Sequence, residues 1–235
     1  MDEIGVVLDM DGVILDSEGI KMTAFGDLFA GFPDKGGEID RFNKENQGLP
    51  RREKIGRLYN EVLGLSVGEE ELEGLARLYG ELVWKRLENV PLAPGLKGFL
   101  RRAPFQFFVS SAAPAEEVRV LLEEKRILDF FDSVHGYPSR KSTVLERLVI
   151  RFGEGKVVFF GDSPNDWDAA QKAGAHFVGV RLGEITPFLD GLDVPIIRDF
   201  SDHSALIRLI QALCKPNTRS PGIRPSGSCN RSRAI

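Results

Sequence analysis

Two carboxylates, Asp9 and Asp11, directly follow a short apolar segment at residues 4–8, which predicts a buried strand. Side chains two residues apart in an extended chain point the same way, and Gly12 allows a sharp turn after them. Ligands of open parallel sheets bind beyond the carboxyl ends of the strands, which is where this pair falls. An isolated motif of this kind is more often a polar turn, so the pair needs support from elsewhere in the chain.

A second pair of carboxylates, Asp162 and Asp166, follows the apolar segment at residues 157–160. Asp166 falls at the start of a predicted helix that Pro164 opens, where an acid can serve simply as a helix cap. The two pairs together bring four carboxylates to one edge of the predicted sheet, and such a concentration of like charge needs a cation. Because Mg²⁺ prefers carboxylate oxygens, we expect a magnesium site there.

Hydroxyl and ammonium groups from the middle of the chain offer ligands for a phosphate. Ser110 and Ser111 end a predicted strand at residues 105–109, and their hydroxyls can donate to phosphate oxygens. A loop capped by serine is the simpler alternative. Lys141 begins a predicted helix, where a cation is unfavourable unless an anion binds nearby. A solvated lysine is the alternative here.

These groups occur in an order that resembles the four sequence motifs of the haloacid dehalogenase-like hydrolase superfamily. Residues 9–18 are similar to the first motif of its phosphatase branch, and residues 161–175 to the fourth motif with its following helix. Ser110 and Lys141 fall where the second and third motifs are expected. The resemblance covers about residues 4–210 of the chain.

The resemblance implies a role for each carboxylate. Asp9 would attack phosphorus and form an aspartyl-phosphate, which divides one difficult displacement into two steps. Asp11 would protonate the leaving oxygen and then deprotonate the attacking water. Mg²⁺ would be held by the Asp9 carboxylate, the backbone carbonyl of Asp11 and Asp162. Asp166 would order a metal-bound water or bind the metal directly.

The resemblance also implies a phosphate site. Ser110, with its neighbour Ser111, and Lys141 would hold the non-bridging phosphoryl oxygens, which spread negative charge during transfer. Many relatives have a proline directly after the lysine, whereas Ser142 follows it here. Arg140 therefore stays open as an alternative to Lys141.

Asp11 bears on the reaction type, because relatives that cleave carbon–halogen or carbon–phosphorus bonds lack an acid there. Its presence favours an oxygen leaving group, and hence a phosphatase for a small metabolite such as phosphoglycolate or a sugar phosphate. Sugar phosphomutases of the β-phosphoglucomutase type are the alternative. Their helical-capped members have a histidine where Lys21 stands, and residues 17–90 contain no histidine. A phosphate-binding regulator without catalysis is a further, non-enzymatic alternative.

The elements that must position these groups alternate along the chain, which predicts an α/β fold with a Rossmann-like parallel sheet. Short apolar segments predict strands at residues 4–8, 105–109, 157–160, 177–180 and, more weakly, 194–197. Amphipathic segments predict helices at residues 95–102, 115–125, 142–152 and 165–173.

Residues 17–90 interrupt this alternation with apolar residues at helical spacing, which predicts an inserted all-helical cap of about four helices. The core would comprise residues 1–16 and 91–213. Within the cap, Arg51 lies in a segment that resembles a loop facing the active site in relatives, where it could contact the leaving group; a solvated helix start is the alternative. Residues 214–235 are basic and poor in large apolar side chains, which predicts a disordered tail.

Composition excludes several other classes. The 235 residues are 42% hydrophobic and 28% charged, without a long apolar segment or a signal-like start, so we expect a cytoplasmic protein that binds no membrane. The net charge of −4 becomes −9 for residues 1–214, which argues against nucleic-acid binding. Two cysteines near the C-terminus predict no disulfide framework. Monomer and homodimer both stay open.

Overall fold

The computed structural model describes residues 3–87, 89–183 and 187–215. In these residues six strands form one sheet with the order β3-β2-β1-β4-β5-β6, and each pair of neighbours is parallel. The strands are β1 (Gly5–Leu8), β2 (Gln106–Pro114), β3 (Ser133–Tyr137), β4 (Val157–Gly161), β5 (His176–Val180) and β6 (Ile196–Ile197). The central strand β1 therefore has β2 and β4 as its neighbours, which is the arrangement that brings their carboxyl ends together.

In the described residues four α-helices lie between β1 and Leu92: α1 (Glu18–Leu28), α2 (Gly36–Glu45), α3 (Arg51–Leu58) and α4 (Glu69–Leu87). A 3-10 turn at Pro33–Lys35 precedes α2, and a π-helical turn at Tyr59–Leu63 continues α3. Leu15 forms an isolated bridge with Leu92, so this helical segment leaves and rejoins the sheet region at adjacent points. We call α1–α4 the cap.

The remaining helices surround the sheet, which with them forms the core: α5 (Leu96–Arg102), α6 (Ala115–Glu124), α7 (Lys141–Phe152), α8 (Pro164–Ala173), α9 (Pro187–Asp190) and α10 (His203–Leu213). Side chains of α5, α6 and α10 pack on one face of the sheet together with Val6 and Leu8. Side chains of α7, α8 and α9 pack on the other face together with Val7. Because successive residues of β1 face opposite sides, both layers hold the central strand by apolar burial.

The cap is packed through aromatic side chains rather than through a separate sheet. Phe25 of α1 contacts Phe29, the C-cap residue of that helix, and Tyr79 of α4, with ring centroids 5.0 and 5.8 Å away. Ile55 and Leu58 of α3 are fully buried. These residues belong to the same apolar cluster as Leu8 and the α6 face, so the cap shares its hydrophobic interior with the core.

The predicted α/β fold with a parallel sheet is confirmed, with differences at particular elements. The strand predicted at residues 105–109 continues to Pro114, because pairing with β3 resumes after a register shift. The β3 strand itself was not predicted: it alternates between buried and partly exposed residues at the sheet edge and has no apolar run. The helix predicted from residue 142 begins at Lys141. The strand predicted at residues 194–197 shrinks to Ile196–Ile197.

The chain end is only partly described. Cys214 caps α10 and is buried, so it packs with the core. Residues 216–235 of the predicted tail lie outside the described residues. The division into core, cap and tail at the predicted boundaries stays a prediction. Each helix in the described ranges is too short or too polar to cross a bilayer.

Candidate active site

The carboxyl ends of β1, β2 and β4 place three predicted site residues side by side. Leu8 is in register with Val109 of β2 and with Phe160 of β4. Asp9 therefore follows β1 at the level where Ser110 continues β2, and Asp162 follows β4 one residue later. The backbone N–H of Asp9 donates to the carbonyl of Phe160 at 3.0 Å, which fixes the start of the loop.

Asp9 is buried, and its two carboxylate oxygens have different surroundings. Oδ2 lies 2.9 Å from Nζ of Lys141. Oδ1 is buried and accepts no hydrogen bond from the described residues. Burial raises the pKa of Asp9 to about 7; Lys141 opposes this, while the nearby charges of Asp166 and Asp11 add to it. A buried acceptor without a partner is costly, which points to a ligand at Oδ1.

Gly12 allows the loop after Asp9 to approach the fourth motif closely. Its φ is +71°, in the left-handed region that favours glycine. A Cβ at this position would lie 1.8 Å from Oδ2 of Asp162. The glycine is therefore required both by the turn and by the carboxylate packed against it.

Asp166 is fully buried at the start of α8, where both of its oxygens are bonded. Oδ2 accepts from the N–H of Ser163 at 3.1 Å and from its hydroxyl at 2.6 Å, in a capping box that stabilises the helix start. Oδ1 accepts from Nζ of Lys141 at 2.5 Å. Asp166 thus anchors the lysine that also contacts Asp9.

Lys141 is buried at the first position of α7 and lies between the two carboxylates. Burial opposes its charge, but the neighbouring Asp166 and Asp9 outweigh that effect and raise its pKa above the usual value. It is therefore charged at neutral pH and offsets part of the negative charge at the sheet edge. Arg140, the alternative, precedes the helix as its N-cap and is exposed.

The acidic cluster has the donor set of a divalent cation site. Carboxylate oxygens of Asp9, Asp162 and Asp166 lie within 4.8 Å of one another. The unbonded Oδ1 of Asp9 supplies a hard oxygen ligand of the kind that Mg²⁺ prefers. The carboxylate oxygens of these three residues are therefore of the type and spacing that suit the predicted Mg²⁺. The carboxylate of Asp11 does not join them, which leaves its backbone carbonyl as the predicted ligand atom.

The side chain of Asp11 is held by the first residues of the cap. The hydroxyl of Ser17 donates to its Oδ1 at 2.6 Å, and Nζ of Lys21 donates to its Oδ2. Burial opposes ionisation of Asp11, but Lys21 and the Ser17 hydroxyl outweigh it and lower the pKa below the usual value. Neither contact was predicted. The four-residue spacing of Ser17 and Lys21 places both on one helix face, and this was the pattern in the sequence that could have predicted the two contacts.

Ser110 and Ser111 are both buried within β2 rather than in a loop after it. The hydroxyl of Ser111 accepts from the N–H of Ala113 at 3.1 Å, which is a local turn contact. Ser111 and Lys141 line a cavity of about 290 Å³ on the core side of Leu49 and Pro50. The structure therefore brings Ser110 to the carboxyl edge next to Asp9 and gives Ser111 a local backbone partner.

A cavity of about 80 Å³, which contains the acidic residues of the site, lies between the acidic edge of the core and the cap. That corresponds to about six water molecules, which suits a small ligand. Asp9, Asp11, Lys141 and Asp162 line its core side. Sequence reasoning missed the polar cap residues that line the opposite side, which are Lys21, Asn43, Gln47, Lys54 and Tyr79.

Arg51 lines this cavity, and its guanidinium is bonded to the core. Nη1 and Nη2 donate to the two carboxylate oxygens of Glu117 on α6, at 3.1 and 2.5 Å. A second contact joins the same parts: Nδ2 of Asn165 donates to the carbonyl of Gly48 at 2.8 Å. The loop before α3 is thus fixed to the core at two points.

Comparison with protein families finds a match to the model of haloacid dehalogenase-like hydrolases over residues 5–174. No curated protein matches the chain. This assignment agrees with the motifs from which the resemblance was drawn.

Solved structures with the same fold include proteins of more than one activity. A β-phosphoglucomutase from Clostridium difficile is 18% identical, with a TM-score of 0.69 over 90% of this chain and 97% of that chain. CbbY from Rhodobacter sphaeroides, in complex with xylulose 1,5-bisphosphate, is 20% identical, with a TM-score of 0.65 over 86% and 96%. A predicted phosphoglycolate phosphatase from Haemophilus somnus is 20% identical, with a TM-score of 0.65 over 88% and 98%. At these identities the likeness shows the fold.

Proposed function

Because this chain belongs to the haloacid dehalogenase-like hydrolase family, we propose that it is a magnesium-dependent phosphatase acting on a small phosphorylated metabolite. The observation that carries the proposal is the pair of unlike carboxylates beside Lys141. Asp9 has one oxygen on the lysine and one without a hydrogen-bond partner in the described chain, whereas Asp11 is fully bonded to Ser17 and Lys21. This difference supports Asp9 as the nucleophile and Asp11 as the proton carrier.

In the first step, Asp9 attacks phosphorus and the bond from phosphorus to the alcohol oxygen breaks. The leaving oxygen takes a proton from Asp11, whose carboxyl group faces the cavity beside the ammonium of Lys21. The product of this step is an aspartyl-phosphate on Asp9 and the free alcohol. Lys141 stays bonded to Asp166 and neutralises charge on the phosphoryl oxygens.

In the second step, a water molecule attacks the aspartyl-phosphate, and Asp11 removes its proton. Phosphate leaves and the Asp9 carboxylate is restored. The lowered pKa of Asp11 favours the ionised carboxylate that acts as the base in this step, and the proton that Asp11 takes from the water is the one that it donates to the leaving oxygen of the next substrate. Ser110, at the level of Asp9 on the neighbouring strand, is the hydroxyl that we assign to a phosphoryl oxygen.

Asp9, Asp162 and the Asp11 carbonyl would hold Mg²⁺, which when bound supplies positive charge to neutralise the phosphoryl group. Asp166 is already bonded through both oxygens to Lys141 and Ser163. We therefore propose that Asp166 orients Lys141 and would order water at the metal site, rather than coordinate the metal directly.

The cap is proposed to close over the substrate and to choose it. The small volume of the cavity and its mixed polar and apolar lining favour a compact leaving group. Hydrolysis rather than mutation stays a prediction; Lys21 stands where the mutases carry a histidine, and it is bonded to Asp11.

Turnover of p-nitrophenyl phosphate, with Mg²⁺ and with EDTA, tests this proposal. We expect free phosphate only with the metal, and Asp9→Asn should lower kcat by at least about 10⁴-fold, as expected when a nucleophile is removed. Asp40→Asn on the exposed face of α2 is the matched control and should leave kcat unchanged. Full activity of Asp9→Asn would refute the covalent mechanism. With a sugar phosphate as substrate instead, formation of its isomer without net phosphate release would identify a mutase.

A further inference from the structure

The loop between α2 and α3, at residues 46–50, is the part of the cap that lies on the start of α8; we call it the cap loop. Its Gly48 has a φ of +76°, in the region that favours glycine. A Cβ at Gly48 would overlap the hydroxyl oxygen of Ser163 and would lie 3.1 Å from Cβ of Asn165. The backbone of Gly48 therefore packs directly against the residue that caps α8.

Asn165 holds the cap loop in this position. It is the second residue of α8, and its Nδ2 donates to the carbonyl of Gly48 at 2.8 Å. The simplest alternative is that this side chain stabilises the helix start. That task is already carried out by Ser163 and Asp166, which form the capping box of α8. The amide of Asn165 is therefore not required as a cap, and it bonds across to the other part of the molecule.

Ser163 connects this contact to the proposed nucleophile. Its hydroxyl donates to Oδ2 of Asp166 at 2.6 Å, and Oδ1 of Asp166 accepts from Lys141. Nζ of Lys141 lies 2.9 Å from Oδ2 of Asp9. All four side chains are buried. A cap loop that lifts from Ser163 would let water compete for its hydroxyl, which would weaken the hold on Asp166.

The two anchors of the cap loop differ in what they reach. Arg51 forms its ion pair with Glu117 of α6, a side chain that is 38% exposed. The bond between Asn165 and Gly48 instead lies against Ser163, a member of the buried network. Loss of the first anchor weakens closure of the cap. Loss of the second also releases a residue on which the position of Lys141 depends.

We propose that Asn165 is a positioning residue: by seating the cap loop on Ser163, it keeps in place the lysine that contacts the nucleophile. The kinetic consequence of this proposal rests on the proposed phosphatase function. Asn165 is assigned no contact with the substrate and no part in the chemical steps.

Asn165→Ala tests the proposal, because alanine keeps the helix and removes the amide. We expect kcat for p-nitrophenyl phosphate to fall about 5- to 10-fold, as for the loss of one hydrogen bond. Weaker closure alone would raise KM and leave kcat unchanged. Asn165→Gln, which retains the donor on a longer side chain, should recover part of kcat. Gln171→Ala, at an exposed position of the same helix, is the matched control and should have wild-type kcat.

Gly48→Ala disturbs the same contact from the side of the cap. Its Cβ does not fit against the Ser163 hydroxyl, so the cap loop must lift and kcat should fall at least as far as in Asn165→Ala. Gly64→Ala is the matched control, because Gly64 has a similar φ of +65° but a Cβ there would meet no atom within 4 Å. Both glycine variants carry backbone strain, and only Gly48→Ala should lower kcat.

Hydrogen–deuterium exchange of residues 46–50, measured without substrate, gives a readout that is independent of turnover. Exchange in this segment should be faster in Asn165→Ala than in the wild type and unchanged in Gln171→Ala. Unchanged exchange in Asn165→Ala, or wild-type kcat in both Asn165→Ala and Gly48→Ala, would overturn this proposal alone. A wild-type protein that hydrolyses no phosphomonoester would overturn the proposed function and the kinetic part of this proposal with it.

Discussion

On the core side of the cavity Asp9, Lys141 and Asp166 bond to one another, whereas two cations of the cap, Lys21 and Arg51, bond across to the core. Lys141 links Asp9 to Asp166 within a buried network at the strand ends. In the cap, Lys21 instead forms an ion pair with Asp11 of the core, and Arg51 forms one with Glu117 of the core. The Asp9–Lys141–Asp166 network is thus formed by the core alone, whereas the contacts of Asp11, Lys21 and Arg51 need both parts together.

This difference separates chemistry from selection. Backbone geometry fixes the core groups, because parallel strands end at one edge and α7 and α8 begin there. Changes on the core side should therefore affect kcat. Side-chain contacts fix the cap groups, so changes there should affect KM, pH dependence or substrate preference. The predictions below test that division, beginning with the largest expected effect.

Of these variants, Gly12→Ala should lower kcat the most. It removes no functional group, but it displaces the core residues that are proposed to react. A Cβ at φ +71° would lie 1.8 Å from Oδ2 of Asp162, so the loop or the carboxylate must move. We expect kcat to fall about 100-fold, as for a displacement of about 1 Å at a reacting centre. The free energy of unfolding should fall by about 1–3 kcal/mol from the strained backbone. Steady-state kinetics and denaturant unfolding measure both.

Gly19→Ala is the matched control for this prediction. Gly19 lies in the first turn of α1, and a Cβ there would meet no atom within 4 Å. It should retain kcat and stability, or gain slightly, since alanine favours helix. Wild-type kcat in Gly12→Ala would mean that the contact between the first and fourth motifs does not position the reacting groups.

Much of the core side could be predicted from the sequence, and little of the cap side could. Asp9, Asp162 and Lys141 each follow or open an element of clear periodicity, and the parallel sheet then brings them together. Lys54 and Tyr79 lie on amphipathic helices whose period gives a face but not the partner of that face. Which helices meet in the cap depends on aromatic packing around Phe25, and no local pattern encodes that choice.

Lys21→Met should change the pH dependence by a smaller amount. Lys21 lowers the pKa of Asp11, so removing its charge should raise that pKa. If Asp11 acts as the base in the second step, it then becomes ionised at a higher pH, and the acid limb of the kcat profile moves upward. We expect a shift of about one pH unit, the lower end for an opposite charge, because Lys21 is partly exposed.

The control for the pH profile is Lys85→Met, an exposed lysine of α4. Its acid limb should coincide with that of the wild type. An acid limb that stays in place, or moves to lower pH, in Lys21→Met would show that Asp11 does not set the acid limb or that Lys21 does not control its ionisation.

Arg51→Met should have the smallest effect, which falls on closure of the cap rather than on chemistry. The bond to Glu117 joins α3 to α6, and the side chains are 16% and 38% exposed, so the pair is partly screened by solvent. Such pairs contribute at most about 1 kcal/mol. If that energy favours the closed cap, losing it lowers the closed fraction and raises KM up to about fivefold while kcat is unchanged. Glu117→Gln should raise KM by a similar factor, and the KM of the double variant should be no higher than that of either single variant.

Arg57→Met, which breaks a pair with Glu61 inside the cap, is the matched control and should leave KM unchanged. A kcat loss in Arg51→Met that the double variant does not share would place Arg51 in the chemistry and remove the division between the two sides.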